Sequence, residues 1–413
     1  MARKRKKKVS NQHHQAMLRA YQKREFAAYF RKIEEMAAAF GASGILDLIP
    51  KKEQAFFFSI RLRPPKVTTA KGTYLSNSDL QKVQAHFDKI LTEEYFTVPN
   101  TNIRFTLMDF LTTTRGLSLW INQIDENSIP RADELRKLLE PIHAFERGAD
   151  SPYHQYKLQL AQAASCISEY GSTICEITTD HEVRKHNKFY IAESIVIKTE
   201  KIQPKNIKIK DGKRVIFPHV NFFDQSAQAT LNVHDFYPKK GANKEYPVFY
   251  QVHAFRRMEE RMDCFQKPEL MIHLQLSLYK PEIKMIGKNR ALLSYFIGSI
   301  KLGYFLLEIV QEIVIFRTFL FITNDGTTEG KLLRKHLGLC KVDKQYIHLD
   351  KCSTFLLSDI YEDPDLKRAL DNAGCGELLL LNQQIQKNDR WDQEFKTGTA
   401  AHVRDFLMMD AVA

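Results

Sequence analysis

Little in this chain announces a chemistry. Its 413 residues hold six cysteines, Cys166, Cys175, Cys264, Cys340, Cys352 and Cys375. No two make a Cys-x-x-Cys pair and none stands at ligand spacing from a histidine, so neither a zinc site nor a disulfide framework is predicted. Reduced, mostly buried thiols are expected, with no metal and no other cofactor. No Gly-x-Gly-x-x-Gly or Gly-x-x-x-x-Gly-Lys-Ser/Thr string occurs among the 17 glycines, which removes the usual nucleotide-binding loops. The longest apolar stretch, Ala291 to Phe321, is interrupted by Lys301, Glu308, Gln311, Glu312 and Arg317, so no membrane span is expected. The basic start runs into Val9-Ser-Asn-Gln-His-His14 rather than an apolar core, which argues against a secretory leader and for a cytoplasmic protein.

Acidic residues are also short, 49 against 61 Lys plus Arg, for a net charge of +12. The distribution matters more than the total. Residues 1–35 carry eleven Lys/Arg against three glutamates, a net of +8 and two thirds of the excess. The run Arg3, Lys4, Arg5, Lys6, Lys7 and Lys8 is an electrostatic footprint for a polyanion, because each phosphate neutralised releases counterions. Nucleic acid is the first candidate partner. A solubilising tail, an address signal and an anionic membrane surface are the alternatives.

What is present supports packed cores: 44% hydrophobic and 11% aromatic residues over a length sufficient for two or three domains. The fold class is α+β, a helix-strand N-terminal region followed by a strand-rich half. The expected divisions are 1–45, a basic arm and helix; 46–171, an α+β domain; 172–247, a strand-rich region ending in the linker around Tyr237 to Tyr246; 248–340, a small module; and 341–413, a C-terminal extension. Asn11 to Phe40 reads as one long helix with an aromatic stripe that belongs to a core. Gln54 to Leu62 reads as a strand, and Ile103 to Leu111 with Leu117 to Ile124 as a hairpin joined through Thr112-Thr-Thr-Arg-Gly116.

The densest local signal is His253-Ala-Phe-Arg-Arg257-Met-Glu-Glu-Arg261. At 3.6 residues per turn, positions 253, 257 and 261 fall at roughly 0°, 40° and 80°, which puts a titratable group and two guanidiniums in one row, opposite Phe255, Met258, Met262 and Phe265. Two readings of that row stand. It is a solvated face laced by Glu259 and Glu260, or it holds an anion such as a phosphate.

The string resembles the His-Ala-x-x-Arg-Met-x-x-Arg signature of small bacterial domains related to the BrnT and RelE-type ribonuclease toxins. The resemblance covers about residues 248–340. It implies a helix bearing the signature, a second helix, met here by Pro268 to Leu278, and a curved, small antiparallel sheet, met by Gly303 to Val310 and Ile313 to Ile322. A longer spacer, Tyr279 to Lys301, separates the two parts.

The resemblance implies an RNA-acting protein, possibly a toxin-like or defence endoribonuclease that needs no metal. His253 would be the general acid or base, Arg257 and Arg261 the phosphate clamp, and Arg317 a further cation in the same cleft. Arg317 also reads as the outward residue of a half-solvated strand. The alternative class is a non-catalytic nucleic-acid-binding or mobile-element accessory protein. A toxin-like reading implies an acidic protein partner that masks the basic surface. Asp263 with Glu282-Ile-Lys284 resembles a metal-nuclease triplet, and His348 beside Asp350 a titrating pair; both are weaker patterns.

Overall fold

Three consecutive threonines show how local chemistry overrides pattern in the first half of the chain. Thr112, Thr113 and Thr114 each donate a hydroxyl to the carbonyl four residues back, on Met108, Asp109 and Phe110, at 2.8, 2.6 and 2.5 Å. Thr106 Oγ1 accepts from Asp109 N at 3.0 Å and the Asp109 carboxylate accepts from Thr106 N at 3.3 Å, which caps a helix start. The segment expected to be a hairpin is therefore helical from Leu107 to Ile121; residues 122–124 of that expectation lie outside the described residues. β-branched residues signal strand only while their hydroxyls leave the backbone alone.

The computed structural model describes residues 2–59, 64–73, 75–121, 131–148, 151–185, 189–209, 212–237, 244–382 and 399–410. It is a mixed α+β protein that divides into two compact units, residues 1–160 with 177–198 and residues 161–176 with 199–413. No helix among the described residues is long and apolar enough to cross a membrane.

The first unit opens with α1 (Ala2–Ala39), α2 (Ile45–Leu48) and α3 (Lys51–Ser59), followed by β1 (Lys66–Thr69), α4 (Asn77–Glu93), β2 (Tyr95–Thr97) and β3 (Arg104–Thr106). The threonine helix α5 (Leu107–Ile121), α6 (Ala132–Arg147) and most of α7 (Pro152–Ile167), β4 (Thr173–Lys185) and β5 (Phe189–Lys201) complete it. Its helical core joins Phe30, Ile33 and Ala37 of α1 to Phe57, Leu135, Leu139 and Ile142. Phe26 and Phe30 lie 4.7 Å apart by ring centroid, so the aromatic stripe of α1 packs from that point on. Gln54 to Leu62, expected as a strand, is helical through Ser59: the Gln54 amide donates to the carbonyls of Leu46 and Ile49, both at 2.9 Å, and ties α3 to the end of α2.

The second unit contains β6 (Lys205–Ile209), β7 (Gly212–Pro218), β8 (Thr230–Asn232), α8 (Val233–Phe236), β9 (Glu245–Tyr250), α9 (Val252–Arg261) and α10 (Lys267–Tyr279). A meander follows, β10 (Ile283–Gly287), β11 (Arg290–Ile297), β12 (Ile300–Val310) and β13 (Ile313–Phe321), then α11 (Thr328–Leu337), α12 (Lys341–Tyr346), α13 (Cys352–Leu356) and α14 (Pro364–Asn372). The eight-stranded sheet runs β10-β11-β12-β13-β9-β7-β6, with β8 on β9. It is mixed, because β13 and β9 pair in parallel through Val314 with Val248 and Phe316 with Tyr250. The resemblance implied a small antiparallel sheet. The spacer between helix and sheet instead supplies β10 and β11, and β9 extends the sheet toward β7 and β6.

Strand β12 is buried on both faces for most of its length, which is why the apolar run there does not alternate. Phe305 and Phe316 stack at 4.8 Å across β12 and β13, and Phe255 of α9 stacks on Tyr250 of β9 at 4.4 Å. Leu270, Leu274 and Leu278 of α10 and Leu333, Phe355 and Leu366 of the C-terminal helices enter the same core. Gly303 is required inside β12, since a Cβ there would lie 2.4 Å from the carbonyl oxygen of Leu320.

Candidate nucleic-acid interface

The four cationic or titratable residues singled out on α9 and β13 have four different environments. Helix α9 begins after Gln251, whose backbone N–H donates to Phe316 O at 3.0 Å and so fixes the helix start to β13. His253, one turn in, is exposed, as is Arg256. Arg257 is part-exposed and donates to both carboxylate oxygens of Glu260, at 2.8 and 2.6 Å. Arg261 is buried and paired with Asp350, a buried aspartate from the segment between α12 and α13.

The cause is the pitch. Each four-residue step advances the row by roughly 40°, so after two steps position 261 has turned onto the side of Ala254 and Met258, both fully buried. A row that starts in solvent at His253 ends in the core at Arg261. Burial lowers the Arg261 pKa from its ordinary value, and Glu260 opposes that shift.

Arg317 is also held internally. Its guanidinium donates to Glu308, a buried residue of β12, and its Nε to Gln251 Oε1 at 3.1 Å. The structure thus leaves His253 and Arg257 together near solvent and engages Arg261 and Arg317 with carboxylates inside the fold. The weaker patterns resolve similarly. Asp350 serves Arg261 rather than His348, and Asp263 accepts from Ser353 N and Oγ at 3.0 and 2.9 Å. Among the described residues no group of three His, Cys, Asp or Glu could hold a metal ion. The six cysteines are free; Cys175, Cys264, Cys352 and Cys375 are buried, Cys340 is half-buried and Cys166 is exposed.

The basic N-terminus is a helix rather than an arm, since α1 begins at Ala2. The side chains of Arg3, Lys4, Arg5, Lys6, Lys7 and Lys8 lie outside the described residues. Further along, Gln15, Ala16, Met17 and every residue from Arg19 to Arg24 are exposed. Ten residues make almost three turns, so α1 is bare around its whole circumference there, with Arg19, Lys23 and Arg24 projecting from it. Burial starts only at Phe30.

Compared with protein-family models, curated proteins and solved structures, the chain matches none of them. Asp350 and Glu308, the carboxylates that decide what Arg261 and Arg317 can do, escaped the reading by spacing. Glu308 could have been found as a lone acid opposite a lone base in an apolar hairpin. Asp350 carried no local signal at all.

Proposed function

We propose that this chain binds nucleic acid, RNA in preference to DNA, through the basic first half of α1. The observation that supports the reading is the bare stretch from Gln15 to Arg24. A helix with polar residues on every side gains little from folding alone and is stabilised when a partner lies along it. Here its charges are Arg19, Lys23 and Arg24, continuing the run Arg3 to Lys8, and polyphosphate is the partner they complement. The preference for RNA rests on the resemblance of residues 248–340 to ribonuclease toxins.

The test is the triple variant Arg19→Gln, Lys23→Gln, Arg24→Gln, assayed on RNA and duplex DNA at several salt concentrations. Three lost phosphate contacts reduce the slope of log affinity on log salt by roughly two to three. The melting temperature should stay unchanged, because exposed charges contribute little to folding. An unaltered salt slope would remove α1 from the interface.

A second reading is favoured by the order of elements in the second unit. The signature helix α9, the second helix α10 and the antiparallel strands β10 to β13 follow one another as in a RelE-like module. On this reading the protein is a metal-independent endoribonuclease in which exposed His253 moves the proton of a 2′-OH and Arg257 faces the phosphate. Arg261 and Arg317 then support the helix from within. An acidic protein partner would cover the cationic surfaces.

A further inference from the structure

A cavity of about 60 Å³ lies in the second unit, with Tyr170, His219, Tyr250, Phe255, Lys267 and Met271 in its wall. His219 is 3% exposed and enters from the chain just after β7. Its ring lies 5.4 Å from that of Phe255 and 6.3 Å from that of Tyr250, in both cases at a steep angle. Neither ring nitrogen has a hydrogen-bond partner among the described residues, yet neither is sealed against protein: both remain open to the cavity. Burial pushes the imidazole pKa down to about 4, so near neutral pH the ring offers one N–H and one lone pair. Buried polar side chains are satisfied in folded proteins as a rule, and one that faces a void is satisfied by what fills it.

The walls narrow what that is. At roughly 10–15 Å³ for each water-sized atom, the space admits about four to six non-hydrogen atoms, one six-membered ring entered edge-first, with its substituents in the mouth. Tyr170, Tyr250 and Phe255 supply flat apolar surface. Lys267 brings one positive charge, 4.3 Å over the Tyr170 ring, and it donates to Ser168 O. The carboxylates of Glu169 and Glu259 act on that ammonium and offset it, so the cavity does not select an anion. A neutral, flat, single-ring ligand with a donor and an acceptor on its edge meets these conditions, and a two-ring purine exceeds the space.

We infer that this cavity receives a pyrimidine base, edge-on to the His219 imidazole and against the Tyr170, Tyr250 and Phe255 rings. The inference deepens the nucleic-acid reading by giving the second unit one base to hold, as proteins that read single-stranded RNA stack unpaired bases on aromatic side chains.

The experiment uses the full chain with histidine-labelled side chains and follows the His219 ring signal by NMR during titration with uridine, cytidine and adenosine. A saturable shift with a pyrimidine nucleoside is expected, with adenosine at least tenfold weaker. His219→Leu should abolish binding, and Met271→Trp, which blocks the wall while leaving His219 in place, should do the same. No shift with either pyrimidine, equal binding of adenosine, or undiminished uridine binding by folded Met271→Trp would overturn the inference. RNA affinity measured alongside separates the two ideas: intact RNA binding without nucleoside binding sinks the base pocket alone, and the reverse sinks the α1 interface alone.

Discussion

Arg261 closes helix α9 by donating its guanidinium to Asp350, 89 residues further on, and the two side chains are 8% and 6% exposed. A charge pair so far from water is held together by its own complementarity, because removing one partner strands the other in a medium that cannot solvate it.

Arg261→Ala and Asp350→Ala should therefore each lower unfolding free energy by about 3–5 kcal/mol, whereas the double change Arg261→Met, Asp350→Leu should recover most of that loss. Urea denaturation of the three proteins is the measurement. Single variants that cost less than about 1 kcal/mol would mean that water reaches the pair, and Arg261 would again be a candidate for binding phosphate.

The turn between β12 and β13 gives an independent prediction. Gln311 and Glu312 both adopt left-handed backbone, with φ of 49° and 61°, between the paired residues Val310 and Ile313. That is the backbone of the two-residue hairpin turn that favours Asn-Gly, and two ordinary side chains are strained in it. Replacing the pair by Gln311→Asn and Glu312→Gly should raise stability by about 1 kcal/mol, read as a higher urea midpoint with an unchanged slope. The lost ion pair between Lys244 and Glu312 is exposed and subtracts little. A lower midpoint would show that the loop has another conformation in solution.

Acid should destabilise the second unit through buried histidines. Burial lowers the pKa of His219 and of His273 to about 4. Both titrate near 6.5 when unfolded, so between pH 6.5 and 4 the unfolded chain binds the extra protons and stability falls as pH falls. The contribution is fully present above pH 6.5, and for His219 it amounts to about 3 kcal/mol by pH 4. The denaturant midpoint of His219→Leu should depend less steeply on pH over this range than that of the parent. Parallel pH profiles would place His219 in contact with water.

The parts of this fold legible in the sequence were those whose signal is local. Helices α9 and α10 and strands β12 and β13 were expected within a few residues of where they lie, because 3.6-residue periodicity and a long apolar run are carried by neighbours. Thr112 to Thr114 misled because a hydroxyl that bonds the preceding turn looks, as a letter, like a strand former. The fate of Arg261 needed Asp350, and that of Arg317 needed Glu308, contacts made only once the C-terminal helices and the hairpin are in place. His219 read as one solitary histidine among several; its unpartnered ring became visible only with the cavity around it.

The ribonuclease reading now rests on His253. It is exposed at the first turn of α9 with Arg257 one turn behind, whereas the other two basic residues of the row and strand are tied to Asp350 and Glu308. General acid or base catalysis contributes roughly 10²–10⁴-fold, so His253→Ala should slow RNA cleavage by about two orders of magnitude or more, with RNA affinity and melting temperature nearly unchanged. Arg257→Ala should impair cleavage at similar stability, in contrast to the destabilisation expected for Arg261→Ala. Cleavage should persist in chelator, the products should carry 2′,3′-cyclic or 3′-phosphate ends, and a DNA strand should survive for want of the 2′-OH. Intact RNA after incubation with purified protein, or wild-type cleavage by His253→Ala, would remove catalysis at this helix and leave nucleic-acid binding as the activity to pursue.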